Sequence, residues 1–268
     1  VWTTTTIERD GVRLACHDSG GPGPVALLLH GLAGQSGEWE PLARLLRGHY
    51  RLIALDQRGH GRSEPRPADT SRAAFTADVA AVISGLGVGP VILAGQSLGG
   101  VTALQAAAAR PDLVRALLLV EAGAEAGGPE LPGQIAGWLD SWPRPFAGRR
   151  DAVAFFGGGR VGEGWATGLV AADGGLGPAF DRDTLVNVIT DHTRRANWAA
   201  WSGLTCPVSV LLGERGVLPA QEVAEMRRLL PRARFVTVPG AGHDVHLERP
   251  DETARELHRL ARSGALVA

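Results

Sequence analysis

The chain contains no lysine: all 27 of its basic residues are arginine. Without an amine side chain there is no Schiff base, no lysine-bound pyridoxal phosphate and no P-loop lysine. Cysteine is scarce as well. Cys16 and Cys206 are far apart, and no C-x-x-C or Cys/His cluster is present, which argues against a zinc knuckle or a dithiol redox motif. Two buried free thiols and a reducing compartment are expected. Neither sign of charge is in excess: 28 acidic residues against 27 basic give a net charge of −1. The basic footprint of a nucleic-acid binder is therefore missing. Long apolar runs are missing too. The longest, such as Val25–Leu29, reach about five residues, far below the ~18 that span a bilayer. Val1–Asp10 is Thr-rich and charged, with neither the apolar core nor the cleavage pattern of a signal peptide. The expectation is a cytoplasmic protein with no membrane segment and no nucleic-acid partner.

What is present is an ordinary globular composition, 44% hydrophobic and 21% charged over 268 residues, enough for one large domain with or without an insertion. Short apolar runs read as strands: Val12–Asp18, Val25–His30, Tyr50–Asp56, Val91–Gly95, Val114–Glu121, Val208–Leu212 and Phe235–Val238. Helical patterns lie between them. Phe75, Val79, Val82, Ile83 and Leu86 share one helix face, and Ala254, Leu257, Leu260 and Ala261 mark a C-terminal amphipathic helix. Alternation of this kind predicts an α/β protein, a mostly parallel sheet with helices on both faces. The stretch 124–203 breaks the pattern. It shows no clear strand, several glycine runs, and five of the seven tryptophans: Trp138, Trp142, Trp165, Trp198 and Trp201. It is expected to be a helical cap over a core made of residues 1–123 and 204–268. Large aromatics are costly to leave in water, and Trp138, Trp165 and Trp198 are the candidates for lining a substrate pocket.

Three short motifs carry chemistry. Gly95-Gln96-Ser97-Leu98-Gly99-Gly100 stands between an apolar strand and an amphipathic helix, the context of a G-x-S-x-G nucleophile elbow. The turn is too sharp for side chains at Gly95 and Gly99, and Ser97 is held exposed at a helix N-terminus. His30-Gly31-Leu32-Ala33-Gly34 follows the second apolar strand. There the backbone N–H of Leu32 is placed to join that of Leu98 in an oxyanion hole. His30, buried at a strand end, is expected to hold loops together. Pro239-Gly240-Ala241-Gly242-His243 follows the last strand, and its Gly-rich setting favours His243 over His246 as the catalytic base. Gly157–Gly159 follows no strand and is not a dinucleotide motif, and no metal or cofactor site stands out.

Together these motifs resemble the α/β-hydrolase superfamily. So does Asp56-Gln57-Arg58-Gly59-His60-Gly61-Arg62-Ser63, which is similar to the family's D-x-R-G-x-G-x-S turn. The resemblance implies the fold, a cofactor-free serine mechanism and a small-molecule substrate, but not which one. The chain departs from the family in one place. A triad acid commonly sits in a G-x-x-D stretch after the strand at Val208–Leu212, and here that stretch is Gly213-Glu214-Arg215-Gly216, with no side chain at the Asp position. Glu121, at the end of the strand after the nucleophile helix, is the favoured substitute; Glu214 and an absent acid are the alternatives. A Ser-His-Glu set with the acid after that strand is similar to the zearalenone-type lactone hydrolases. The reading that follows is an esterase or lactonase using Ser97, His243 and Glu121 on an apolar or aromatic substrate. A C–C bond hydrolase, a perhydrolase and a binding protein on the same scaffold remain as alternatives, and the oligomeric state is open.

Overall fold

The computed structural model describes residues 2–263. Eight strands form one sheet: β1 (Thr3–Arg9), β2 (Val12–Asp18), β3 (Val25–Leu29), β4 (Arg51–Leu55), β5 (Val91–Gln96), β6 (Val114–Val120), β9 (Val208–Gly213) and β10 (Arg234–Val238). Their spatial order is β1-β2-β4-β3-β5-β6-β9-β10. β1 and β2 pair antiparallel, as do β2 and β4, and every other neighbour pair is parallel. All seven predicted strands are there. β1 is the addition: its run of threonines is exposed at the sheet edge and offers no apolar alternation to read.

Side chains along each parallel strand alternate between two cores, as the two-residue period of a strand requires. Leu27, Leu29, Leu93, Leu117 and Leu119 pack on one face with α2 (Arg72–Leu86), α3 (Leu98–Ala109) and α9 (Ala220–Leu229). Leu28, Ile92, Leu118 and Val120 pack on the other with α1 (Glu40–Leu46) and α11 (Pro250–Ser263). The strands are apolar on both sides because helices cover both sides. Helix α2 starts where Ser71 accepts a hydrogen bond from the Ala74 N–H, and it stops at Gly87 in left-handed backbone.

Between β6 and β9 the chain runs through α4 (Leu131–Asp140), α5 (Arg149–Phe155), α6 (Gly159–Ala166), α7 (Arg182–His192) and α8 (Trp198–Ser202). A two-stranded hairpin of β7 (Leu169–Ala172) and β8 (Gly175–Pro178) interrupts the helices, contrary to the expectation of no strand. Trp142 meets Trp138, Phe146 and Phe156 edge-to-face, and Trp165 stacks on Phe156, in a separate apolar cluster. Trp201 does not belong to it. It is buried in the main core with its indole N–H on the Met226 carbonyl, and α8 packs on α3 and α9. Packing on the main core thus resumes at α8. Among the described residues no helix is long and apolar enough to cross a membrane.

Two buried histidines set the response to acid. Burial pushes His60 down to about 3 and His192 down to about 4. Unfolded, each takes up a proton near ~6.5. The unfolded state then binds more protons, so stability is complete above that pH and falls with pH until the folded values are reached. The slope is up to about 1.4 kcal/mol per pH unit for each histidine. Asp56 acts lower. Burial pushes its carboxyl up, but His17 and the N–H groups of Arg62 and Ser36 hold it well below the usual range. Its loss is felt only below about pH 4. The denaturant midpoint is expected to fall from pH 7 to pH 5, and a flat midpoint would refute the assignment.

Candidate active site

The parallel strands end at one edge of the sheet, and the motif residues gather there. Ser97 follows β5 with φ 51° and ψ −118°, a left-handed backbone that a non-glycine residue holds at a cost of ~1–3 kcal/mol. A Cβ at Gly95 would lie 2.2 Å from the Gly99 carbonyl oxygen, and one at Gly99 would lie 2.4 Å from the Leu29 and His30 carbonyls. Only glycine lets strand, turn and helix approach this closely. The Ser97 N–H is bound to the Val120 carbonyl, which fixes the turn against β6.

Glu121 repeats the device one strand over. It follows β6 with φ 48°, and its carboxylate is almost wholly buried. Oε1 accepts the Gly213 N–H at 2.7 Å, and Oε2 accepts the Val217 N–H at 2.8 Å. Oε2 also lies 3.5 Å from Nδ1 of His243. That contact is long for a hydrogen bond. Nδ1 is thus the ring nitrogen turned toward the carboxylate. The empty Asp position explains the arrangement: a Cβ on Gly216 would stand 2.1 Å from Oε1 of Glu121. The space that a family acid would fill is the space the Glu121 carboxylate occupies. The sequence contained this signal only as a missing side chain.

The other candidates are placed elsewhere. Glu214 is exposed and accepts the Gly240 N–H at 2.8 Å, tying two loops. His246 is fully buried 3.4 Å from Glu38 and against Trp39. His30 accepts the Gln57 N–H at Nε2 and so donates from Nδ1 to the Gly31 carbonyl. Burial pushes the Cys16 thiol up to about 12 and Cys206 up to about 11, so neither is a thiolate at neutral pH.

Ser97, His243, Leu32 and Ile135 stand where two hollows meet, one of ≈ 620 Å³ and one of ≈ 590 Å³. Leu98 and Glu121 line the first. Among the described residues the N–H groups of Leu32 and Leu98 donate no hydrogen bond; that of Leu98, at the first position of α3, has none available within the helix. Trp138 and Trp165 line the second hollow. Trp198 lines neither. It packs on the main core and donates its indole N–H to Glu125. Two residues went unnoticed in the sequence. Gln96 lines the aromatic hollow and donates to the His243 carbonyl at 3.2 Å, and Asp244 accepts the Trp165 indole N–H at 3.1 Å. Both follow from their positions next to motif residues.

Residues 26–256 match the Alpha/beta hydrolase family. The chain belongs to that family. As an alpha/beta hydrolase it is 31% identical, over 88% of its length and 87% of the relative's, to a 2-(acetamidomethylene)succinate hydrolase of Mesorhizobium japonicum. It is also 31% identical to a pimeloyl-[acyl-carrier protein] methyl ester esterase of Xanthomonas campestris, over 90% of its length and 96% of that protein's. A crystal structure of E-2-(acetamidomethylene)succinate hydrolase superimposes with a TM-score of 0.87 at 27% identity, covering 97% of this chain and 99% of the other. The relatives are hydrolases, and the alpha/beta hydrolase fold with its mostly parallel sheet is shared.

Proposed function

We propose that this alpha/beta hydrolase cleaves a carboxylic ester or lactone through Ser97, His243 and Glu121. The observation that carries the reading is the buried Glu121 carboxylate, aligned by two backbone N–H groups and turned toward His243 Nδ1 in the space left by Gly216. His243 Nε2 takes the Ser97 proton as Oγ attacks the carbonyl carbon. The Leu32 and Leu98 N–H groups hold the oxyanion, an interaction whose loss typically costs ~10²–10³ in rate. The intermediate collapses, the leaving alkoxide takes the proton from His243, and an acyl-Ser97 remains. Water then gives a proton to His243 and attacks the acyl carbon; the second intermediate breaks its bond to Ser97 Oγ, which takes that proton back from His243 as the acid leaves. Glu121 stays ionised throughout, fixing the tautomer and stabilising the imidazolium.

Trp138 and Trp165 support an apolar or aromatic moiety on one side of the reacting carbonyl. A dicarboxylate of the kind in the Mesorhizobium relative's name does not suit a hollow lined by Glu125 and Glu222. The test is multiple turnover of short-chain p-nitrophenyl esters together with fluorophosphonate labelling. Many turnovers per protein and a label on Ser97 are expected. A label elsewhere, or a burst that stops after one equivalent, would remove the reading.

A further inference from the structure

We propose that the two hollows meeting at Ser97 sort substrates by charge: the aromatic one takes an apolar group, and the other takes a neutral or cationic group, an amine above all, and turns away a carboxylate. The inference rests on the proposed hydrolysis only for which bond is cut. The selection by charge belongs to the cavity itself.

The aromatic hollow is walled by Trp138, Trp165, Phe156 and Val161, and its one carboxylate, Asp244, is engaged by the Trp165 indole. The other hollow differs in kind. Glu125, at the start of the insertion, and Glu222, on α9, both line it. Glu222 is half-buried and accepts the Glu125 N–H at 2.8 Å. Glu125 accepts the indole N–H of Trp198 at 3.1 Å. These are neutral donors. Neither glutamate is paired with an arginine among the described residues. Burial raises the Glu222 carboxyl, and the Glu125 charge adds to the rise, as two carboxylates sharing one space require.

No lysine or arginine side chain lines the hollow to offset them. The chain has no lysine, and no arginine lines either hollow. Behind the wall Arg72 donates to Asn197 Oδ1 and to the carbonyls of His192 and Arg195, and its charge is countered by that of Asp191. His192 lines the hollow but is neutral at pH 7, since burial pushes it down to about 4. Glu121 adds a third negative group at the inner end, already bound by two N–H groups beside His243. Low-dielectric walls around charges of one sign concentrate their field, so a ligand carboxylate is repelled and an ammonium attracted.

Three ligands of matched shape test this by calorimetry at low ionic strength: 3-phenylpropylammonium, 3-phenylpropanol and 4-phenylbutyrate. The ammonium is expected to bind at least tenfold more tightly than the carboxylate, with the alcohol between. The ratio should shrink at high salt, which screens exposed Glu125, and in the E125Q/E222Q variant. The salt series needs no mutation and stands if the variant does not fold. A carboxylate that binds as well as the ammonium, a ratio indifferent to salt and variant, or no binding of any ligand overturns the proposal. Turnover of phenylalkanoyl esters carrying dimethylaminoethyl, alkyl or carboxyalkyl alcohols separates it from the hydrolase reading. Charge-selective binding with no ester cut removes the hydrolysis and leaves the selection standing. Esters cut without regard to charge remove the selection and leave the hydrolysis.

Discussion

Ser97→Ala is expected to lower kcat for ester hydrolysis by on the order of 10⁶-fold while leaving ligand binding in place. Loss of a serine nucleophile in a working triad costs that much, because His243 and the oxyanion donors have no acyl-enzyme step left to assist. Stability should hardly move. The variant keeps the left-handed backbone at position 97 and loses only the hydroxyl of a half-buried residue, so its unfolding stability should match the parent's within about 0.5 kcal/mol. His243 acting on water alone would leave a small residual rate. A variant that kept more than a tenth of the parent's kcat would mean that Ser97 is not the nucleophile, whatever the geometry of its turn.

Removing the acid should cost less, and moving it should restore part of the loss. Glu121→Gln is expected to lower kcat by about 10⁴-fold with KM little changed, the effect of a neutral amide that no longer fixes the tautomer or stabilises the imidazolium. The sharper experiment uses Gly216. Gly216→Asp alone forces a second carboxylate into the space held by Glu121 Oε1 and should destabilise the protein by about 3–5 kcal/mol, through steric conflict and like-charge burial. Glu121→Ala clears that space. The double variant E121A/G216D is therefore expected to be more stable than G216D and at least tenfold more active than E121A. A double variant no more active than E121A would show that the volume at Gly216 does not lead to His243.

Much of the site could be read locally. The elbow needs glycine at both ends of a strand-to-helix turn, and Gly95 and Gly99 are neighbours of Ser97 in the chain, so the motif and its geometry are one fact. His243 is similar, set among glycines after a strand. The parallel strands were visible because both faces are buried and their sequences are apolar throughout. β1 was invisible because an edge strand of exposed threonines buries nothing that a pattern could show. The β7–β8 hairpin carried a signal that went unread: Asp173-Gly174 joins its strands in a two-residue turn, with Gly174 at φ 78°. The tryptophans were sorted only in part: Trp138 and Trp165 line a hollow as expected, and Trp198 does not. Trp165, Trp198 and Trp201 share a side chain and a broken helical context, yet one lines a hollow with Ser97, one packs beside Glu125 and one is core.

The sequence by itself determined the fold family, the glycine-flanked turn of Ser97, the Gly-rich loop of His243 and the absence of lysine side chains, because each depends on residues adjacent in the chain or on composition. Tertiary structure alone decided how Glu121 and Gly216 fit together and how the two hollows divide aromatic from acidic walls. Glu121 and Gly216 follow neighbouring strands that are distant in sequence, and whether a carboxylate from one fills the space left by the other is a matter of volume between strands. The charge of a cavity is likewise a sum over side chains from separate elements, and no single stretch of the chain contains it.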